Sequence, residues 1–146
     1  MKYSLPVCLA AALALLLPLS AHSQSAPPPS YGAWPNSFPT DPDFFPCAVW
    51  LQGAHNAQAF KDLGINTFVG LWAGPTESQL SALKAAGIHV VCDQNTVGLT
   101  SVNRDIIKSW MHGDEPDNAQ PDGNGGWGPP IPPQTIIDGY DAMKAK

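Results

Sequence analysis

The sequence predicts an α/β fold built from parallel βα units. Three observations carry that prediction. Apolar segments rich in β-formers alternate with short stretches of helical period. Two helix-to-strand junctions share one form, Leu63-Gly-Ile-Asn66 and Ala86-Gly-Ile-His89, spaced 23 residues apart. A fourth apolar segment opens near Trp110, at about the same interval, and runs into Asp114-Glu115-Pro116. Strands that alternate with helices pair in parallel through right-handed crossovers.

Residues 1–23 read as a signal peptide. Lys2 gives a short basic start, Leu5 to Leu19 is an apolar run broken by Pro6 and Pro18, and Ala21-His-Ser23 supplies the small residues of a cleavage site. The run is short for a membrane span. Export places the protein as secreted or periplasmic. Residues 24–45 form a Pro-rich leader, with Pro27-Pro-Pro29, Pro35, Pro39 and Pro42, and such a segment forms neither helix nor central strand. Phe44 and Phe45 are expected to plug the bottom of the fold below the first strand. Residues 46–146 form one partial barrel domain.

Its elements follow in order. Cys47–Gln52 is a buried strand. Ala57, Phe60 and Leu63 recur at helical spacing, and Gly64 stops that helix. Ile65–Trp72 is the second strand. Thr76-Glu-Ser-Gln79 matches a capping box, in which the Thr hydroxyl and the Gln side chain satisfy free backbone N–H groups. Leu80, Leu83 and Ala86 line the helix it opens, and Gly87 ends it. Ile88–Asn95 is strand three, and Arg104–Lys108 reads as a short helix. Strand four starts near Trp110 and is expected to end at Pro116, since proline cannot donate to a sheet ladder. A long Gly/Pro loop, Ala119 to Ile131, leads to helix four. Pro132 and Pro133 form its first turn, and Ile136, Ile137, Tyr140 and Met143 share one face. No fifth strand follows Lys146, so the chain is expected to be truncated after helix four.

Loss of residues 1–23 leaves 6 Lys+Arg against 12 Asp+Glu, a formal charge of −6. That balance opposes nucleic acid or an anionic membrane as partner and fits a neutral ligand. Cys47 and Cys92 fall on strands one and three, which are not neighbours, so the pair makes no disulfide scaffold and its oxidation state stays open.

Gly64-Ile-Asn66, Gly87-Ile88 and Trp110-Met-His-Gly-Asp-Glu-Pro116 together resemble the first half of a (β/α)8-barrel glycoside hydrolase of the large retaining clan. The resemblance spans about residues 45–146 and implies half of a TIM barrel. In that clan strand four ends in Asn-Glu-Pro, and its glutamate is the general acid/base. By resemblance Glu115 would be the acid/base and Asp114 would stand at the sugar-binding position. Aspartate there can accept a hydrogen bond but, ionised, cannot donate one. The residues point the same way. A proton donor needs a raised pKa, and a like charge next door disfavours ionisation. Both carboxylates can enter one site only if the strand end bends, because strand neighbours face opposite ways. The resemblance puts the second carboxylate of the retaining pair on strand seven, which this chain lacks; Asp93 is a substitute without a motif behind it.

Trp72, Gln94, Asn95, Gln52 and Trp127 sit at predicted strand ends or in the glycine loop, where rings stack on sugars and amides bond hydroxyls. Trp50 and Trp110 read as core. The expected partner is an oligo- or polysaccharide, with self-association through open sheet edges. The alternatives are a non-catalytic carbohydrate-binding or scaffold half barrel, and a metal-dependent hydrolase using His112, Asp114 and Glu115 with Asp93. No spacing is diagnostic of a metal, and no P-loop, dinucleotide fingerprint or nucleophile elbow implies a cofactor.

Overall fold

A computed structural model describes residues 31–146. Residues 1–23, read above as a signal peptide, and the first residues of the expected leader lie outside the described residues. The fold is mixed α/β. Four parallel strands, β1 (Ala48–Trp50), β2 (Thr67–Val69), β3 (His89–Asp93) and β4 (Ile107–Met111), form one sheet in the order β1-β2-β3-β4. Helices α1 (Ala57–Asp62), α2 (Glu77–Ala85) and α3 (Thr96–Thr100) occupy the three crossovers. The sheet does not close: β1 and β4 are its edges, and no closed barrel forms among the described residues.

The register explains the burial. Val49, Phe68, Val90 and Ile107 are aligned across the sheet, and Cys92 follows on the same face. These residues pack with Ala57, Leu80 and Leu83 of the helices into one core. Phe68 is fully buried and meets Phe60 of α1 edge-on at 5.5 Å. The opposite face carries Trp50, Val69, Val91 and Ser109 in register. Val69 and Val91 on it are half-buried, and Trp50 is 46% exposed rather than in the core, because the core helices pack against the other face.

Local sequence signals decide most boundaries. The capping box forms as its residues dictate: the Gln79 amide N–H donates to Thr76 Oγ1 at 3.3 Å, and the Thr76 N–H donates to Gln79 Oε1 at 2.9 Å. Gly64 (φ 89°) and Gly87 (φ 65°) end α1 and α2 in the left-handed region, as a C-terminal glycine should. Asn66 then locks the bottom of the sheet. Its Oδ1 accepts from the Cys47 N–H and the Thr67 hydroxyl, both at 2.9 Å, while its Nδ2 donates to the Phe45 carbonyl at 2.7 Å.

Several expectations are corrected. Strand four begins at Ile107 and ends at Met111, five residues before Pro116. Arg104–Ile106 is one 3-10 turn rather than a helix to Lys108, because Ile106 and Ile107 are drawn into the core. The helix of that crossover is α3, which Asn95 caps by accepting from the Gly98 N–H at 2.8 Å. The plug under the sheet is Phe44 with Phe38, not Phe45. Both rings stand edge-on to His89, at 5.4 and 5.8 Å, whereas Phe45 is 73% exposed. The Ala119–Ile131 loop contains a two-stranded antiparallel hairpin, β5 (Gln120–Pro121) and β6 (Trp127–Gly128). Helix α4 (Pro133–Lys144) follows and buries none of its residues. Cys47 and Cys92 are both free thiols; Cys92 is buried, and burial with Asp93 beside it pushes its pKa up to about 12.

Candidate functional site

Because the four strands are parallel, their C-terminal ends make one rim. Three non-glycine residues have a positive φ among the described residues: Leu51 (48°), Ala73 (53°) and Glu115 (43°). All three lie on that rim, one residue after β1, four after β2 and four after β4. A side chain in this region costs about 1–2 kcal/mol, and such strain clusters at functional sites.

The rim segment after β2 carries Trp72, 77% exposed. Its carbonyl accepts from Gln79 Nε2 at 2.9 Å, so the same glutamine that closes the capping box also holds the tryptophan's backbone. The segment after β4 carries Asp114 and Glu115, both exposed. Glu115 lies in a turn closed by the Asn118 N–H donating to its carbonyl at 3.0 Å, and Asn118 Nδ2 donates to its Oε2 at 2.8 Å. The left-handed backbone at Glu115 supplies the bend that lets two consecutive carboxylates leave the strand direction. The carboxylate is turned to solvent and to Asn118.

The remaining sugar-site candidates divide. Trp127 stands on β6, 74% exposed. Its hairpin is fixed by Asp122, whose Oδ1 accepts from the Asn124 and Gly126 N–H groups at 2.8 and 2.9 Å. Those two bonds hold the Asp122 carboxyl below the usual carboxylate range. Asn95 is spent on structure: besides capping α3, its Nδ2 donates to the Pro75 carbonyl at 2.9 Å. Gln94 Nε2 donates to the Met143 carbonyl at 3.0 Å and tethers α4. Gln52 Nε2 donates to the Trp50 carbonyl at 3.1 Å. For these three amides the structure supplies a packing role. His112 lies past the end of β4 against Gly139 of α4, where an added Cβ would stand 3.0 Å from its Nε2. His112, Asp114, Glu115 and Asp93 do not converge, and no group of three or more metal-type ligands gathers among the described residues.

A groove of about 880 Å³ runs along the free edge of β4, from Ile107 to past its end at His112. Trp34, Trp110 and Tyr140 contribute rings to it. Trp110 is its floor. The indole packs on Gly98, where an added Cβ would stand 2.9 Å from Cζ3, so Trp110 is core on one side and groove on the other. Of the predicted sugar-site residues only Gln94 lines the groove, and His112, the candidate of the metal-dependent alternative, lines it too. Sequence reasoning missed Trp34 and Tyr140, because ring residues in a leader and on an amphipathic helix read as packing.

A scan against protein families finds no matching family, and no match is found among curated proteins or solved structures.

Proposed function

We propose that the chain is a saccharide-binding unit of the glycoside hydrolase type, built as the first half of a (β/α)8 barrel. The observation that carries this reading is the rim: every strained non-glycine backbone among the described residues lies just beyond a parallel strand's C-terminal end. Open α/β folds bind ligands at that end. Trp72 on that rim and Trp127 on the hairpin that follows β4 are both largely exposed, and the β4 groove reaches His112, past the strand's C-terminal end. Titration of the purified protein with soluble oligosaccharides, followed by tryptophan fluorescence, tests it. Saturable quenching that Trp72→Ala and Trp127→Ala weaken is expected; a flat response across a panel of glycans overturns it.

A second reading, hydrolysis with Glu115 as general acid/base, is favoured by the strained turn at Asp114-Glu115-Pro116. It requires the carboxylate to leave Asn118 and enter the site. Asp93, the nearest candidate for a second carboxylate in register, ends β3 opposite Met111. Turnover of aryl-glycosides by this chain is therefore expected to be weak, and Glu115→Gln should abolish what there is. Robust turnover surviving that substitution removes Glu115 from the mechanism.

Two context proposals accompany these. Residues 1–23 direct export, which N-terminal sequencing of the exported protein starting at Gln24 would bear out. The free edges of β1 and β4 favour pairing with a second copy, since unpaired ladder groups template strand addition. A strictly monomeric species in sedimentation analysis would count against that pairing.

A further inference from the structure

The chain carries 12 Asp+Glu against 7 Lys+Arg, yet the β4 groove has the opposite sign. Arg104, Lys108, Lys144 and Lys146 line it, four of the chain's seven cationic side chains, and no Asp or Glu lines it among the described residues. The segregation comes from three separate elements: the 3-10 turn before β4, β4 itself and α4. Asp105, the nearest acid to Arg104 and Lys108 in sequence, acts on the Lys108 ammonium through space while its carboxylate bonds Lys84. Its Oδ1 accepts from Lys84 Nζ at 2.7 Å, on the side of α2. Lys108 Nζ donates to the Asp105 carbonyl at 2.7 Å, which fixes that ammonium beside the groove floor. Lys144 Nζ sits 5.3 Å above the Tyr140 ring. A concave surface with one sign of charge focuses its field and raises the local concentration of the opposite ion. Rings alone would suit any sugar. Rings interleaved with cations, in a groove that no acidic side chain lines among the described residues, suit a sugar that carries anions.

We infer that the β4 groove binds an anionic oligosaccharide, with pyranose rings against Trp34, Trp110 and Tyr140 and their carboxylates or sulfates against Arg104, Lys108 and Lys144. The saccharide half of this inference rests on the function proposed above; the anionic half rests on the groove alone. At roughly 3.3 Å per residue, a strand the length of β4 gives a track of about 17 Å, room for a short oligomer rather than one ring. The net charge of the whole chain pointed to a neutral ligand. The groove reverses that expectation locally, because net charge averages over faces that a ligand never meets.

The test is calorimetric titration of the full chain with four probes at low and at physiological salt: an oligogalacturonate, a heparin-derived oligosaccharide, a neutral cello-oligosaccharide and citrate. Binding of the oligogalacturonate or the heparin fragment, weakened by salt and absent for the cello-oligosaccharide, is expected; the tighter of the two identifies carboxylate or sulfate as the anion. Lys144→Gln at the exposed end of α4 and Lys146→Gln just beyond it, positions that contribute nothing to the core, should each weaken binding roughly three- to fivefold at low salt. Arg104→Gln should do the same, with circular dichroism checking the loss of its bond to the Leu99 carbonyl (2.9 Å). Equal affinity for the neutral oligosaccharide overturns the charge assignment and leaves the saccharide reading standing. Citrate binding as tightly as either anionic sugar overturns the saccharide assignment, and with it the proposed function of the groove. No binding by any probe overturns both.

Discussion

Replacing Ala73 by glycine should make the protein more stable and bind its ligand less well. Ala73 has φ 53°, where an L side chain crowds the following carbonyl oxygen. Relief of that contact is worth about 1–2 kcal/mol. Glycine gives back about 0.5–1 kcal/mol, because its unfolded chain is freer. The methyl group is exposed and contributes nothing to the core. The net expectation is a gain of about 0–1.5 kcal/mol, which for a domain of this size raises the melting temperature by up to roughly 8 °C. Urea unfolding monitored by circular dichroism measures it, with an unchanged m-value as the check that compactness is preserved. If the strain at Ala73 holds Trp72 in its binding position, glycan affinity must fall in the same variant. Stability that drops would refute the claim that the rim backbone is strained. Higher stability with unchanged affinity would keep the strain and remove its functional meaning.

Asn66→Ala removes three hydrogen bonds at the bottom of the sheet and should cost about 2–3 kcal/mol, whereas Asn66→Asp keeps both accepted bonds and should cost about 1 kcal/mol, read by the same urea titration. Gly98→Ala would push a methyl into the Trp110 ring and Pro75, at an expected cost of about 1–3 kcal/mol and with a shift in tryptophan emission. Burial first, then Lys108 and Lys61, lower the His89 pKa from 6.5, so the unfolded chain takes up the proton more readily than the folded one. Stability should therefore fall as pH drops below about 6.5, and His89→Phe, edge-on to the same two rings, should flatten that slope in thermal melts at pH 7 and pH 5. With its thiol pushed up to about 12, Cys92 should resist a thiolate-directed reagent until the protein unfolds, while exposed Cys47 is labelled at once, as peptide mapping can show.

The parallel sheet was legible because its signals are local and redundant. Gly64 and Gly87 end helices, Thr76 and Gln79 start one, and the β-rich segments between them have no other use. What the sequence obscured depends on competition between neighbours. Ile106 and Ile107 fit a helix stripe as well as a strand, and the core decided, taking Ile107 into register with Val90. Asn95 looked free to bind a hydroxyl, but the helix that starts at Thr96 needed a cap, and the capping bond is always within reach whereas a ligand is not. The hairpin at Gln120–Gly128 has strands of two residues each, too short to show alternation; its turn chemistry, Asp122-Gly-Asn-Gly125, was the only clue. The groove was invisible for a different reason. Its cations come from positions 104, 108, 144 and 146, and only the return of α4 to the β4 edge joins them.

That separation has a consequence for how the site can change. Residues that hold the fold lie on one face of the sheet: Phe68, Leu80, Leu83, Val90 and Cys92 are all fully buried toward the helices. The rim and the groove draw on other side chains, and two of the tethers that position them, Gln79 to Trp72 and Gln94 to Met143, are amide bonds to backbone that touch no core residue. Substitutions at Trp72, Trp127, Lys144 or Glu115 should therefore move binding with little change in stability, since surface changes away from caps and cores usually stay within about 0.5 kcal/mol. Trp110 is the exception. It seals the α3 contact at Gly98 and floors the groove at once, so its loss should lower stability and affinity together. A Trp110→Phe variant separates the two, because phenylalanine can keep most of the packing while giving up the wider indole face. If that variant retained full affinity, the groove floor would be structure alone, and recognition would have to lie with Trp34 and Tyr140.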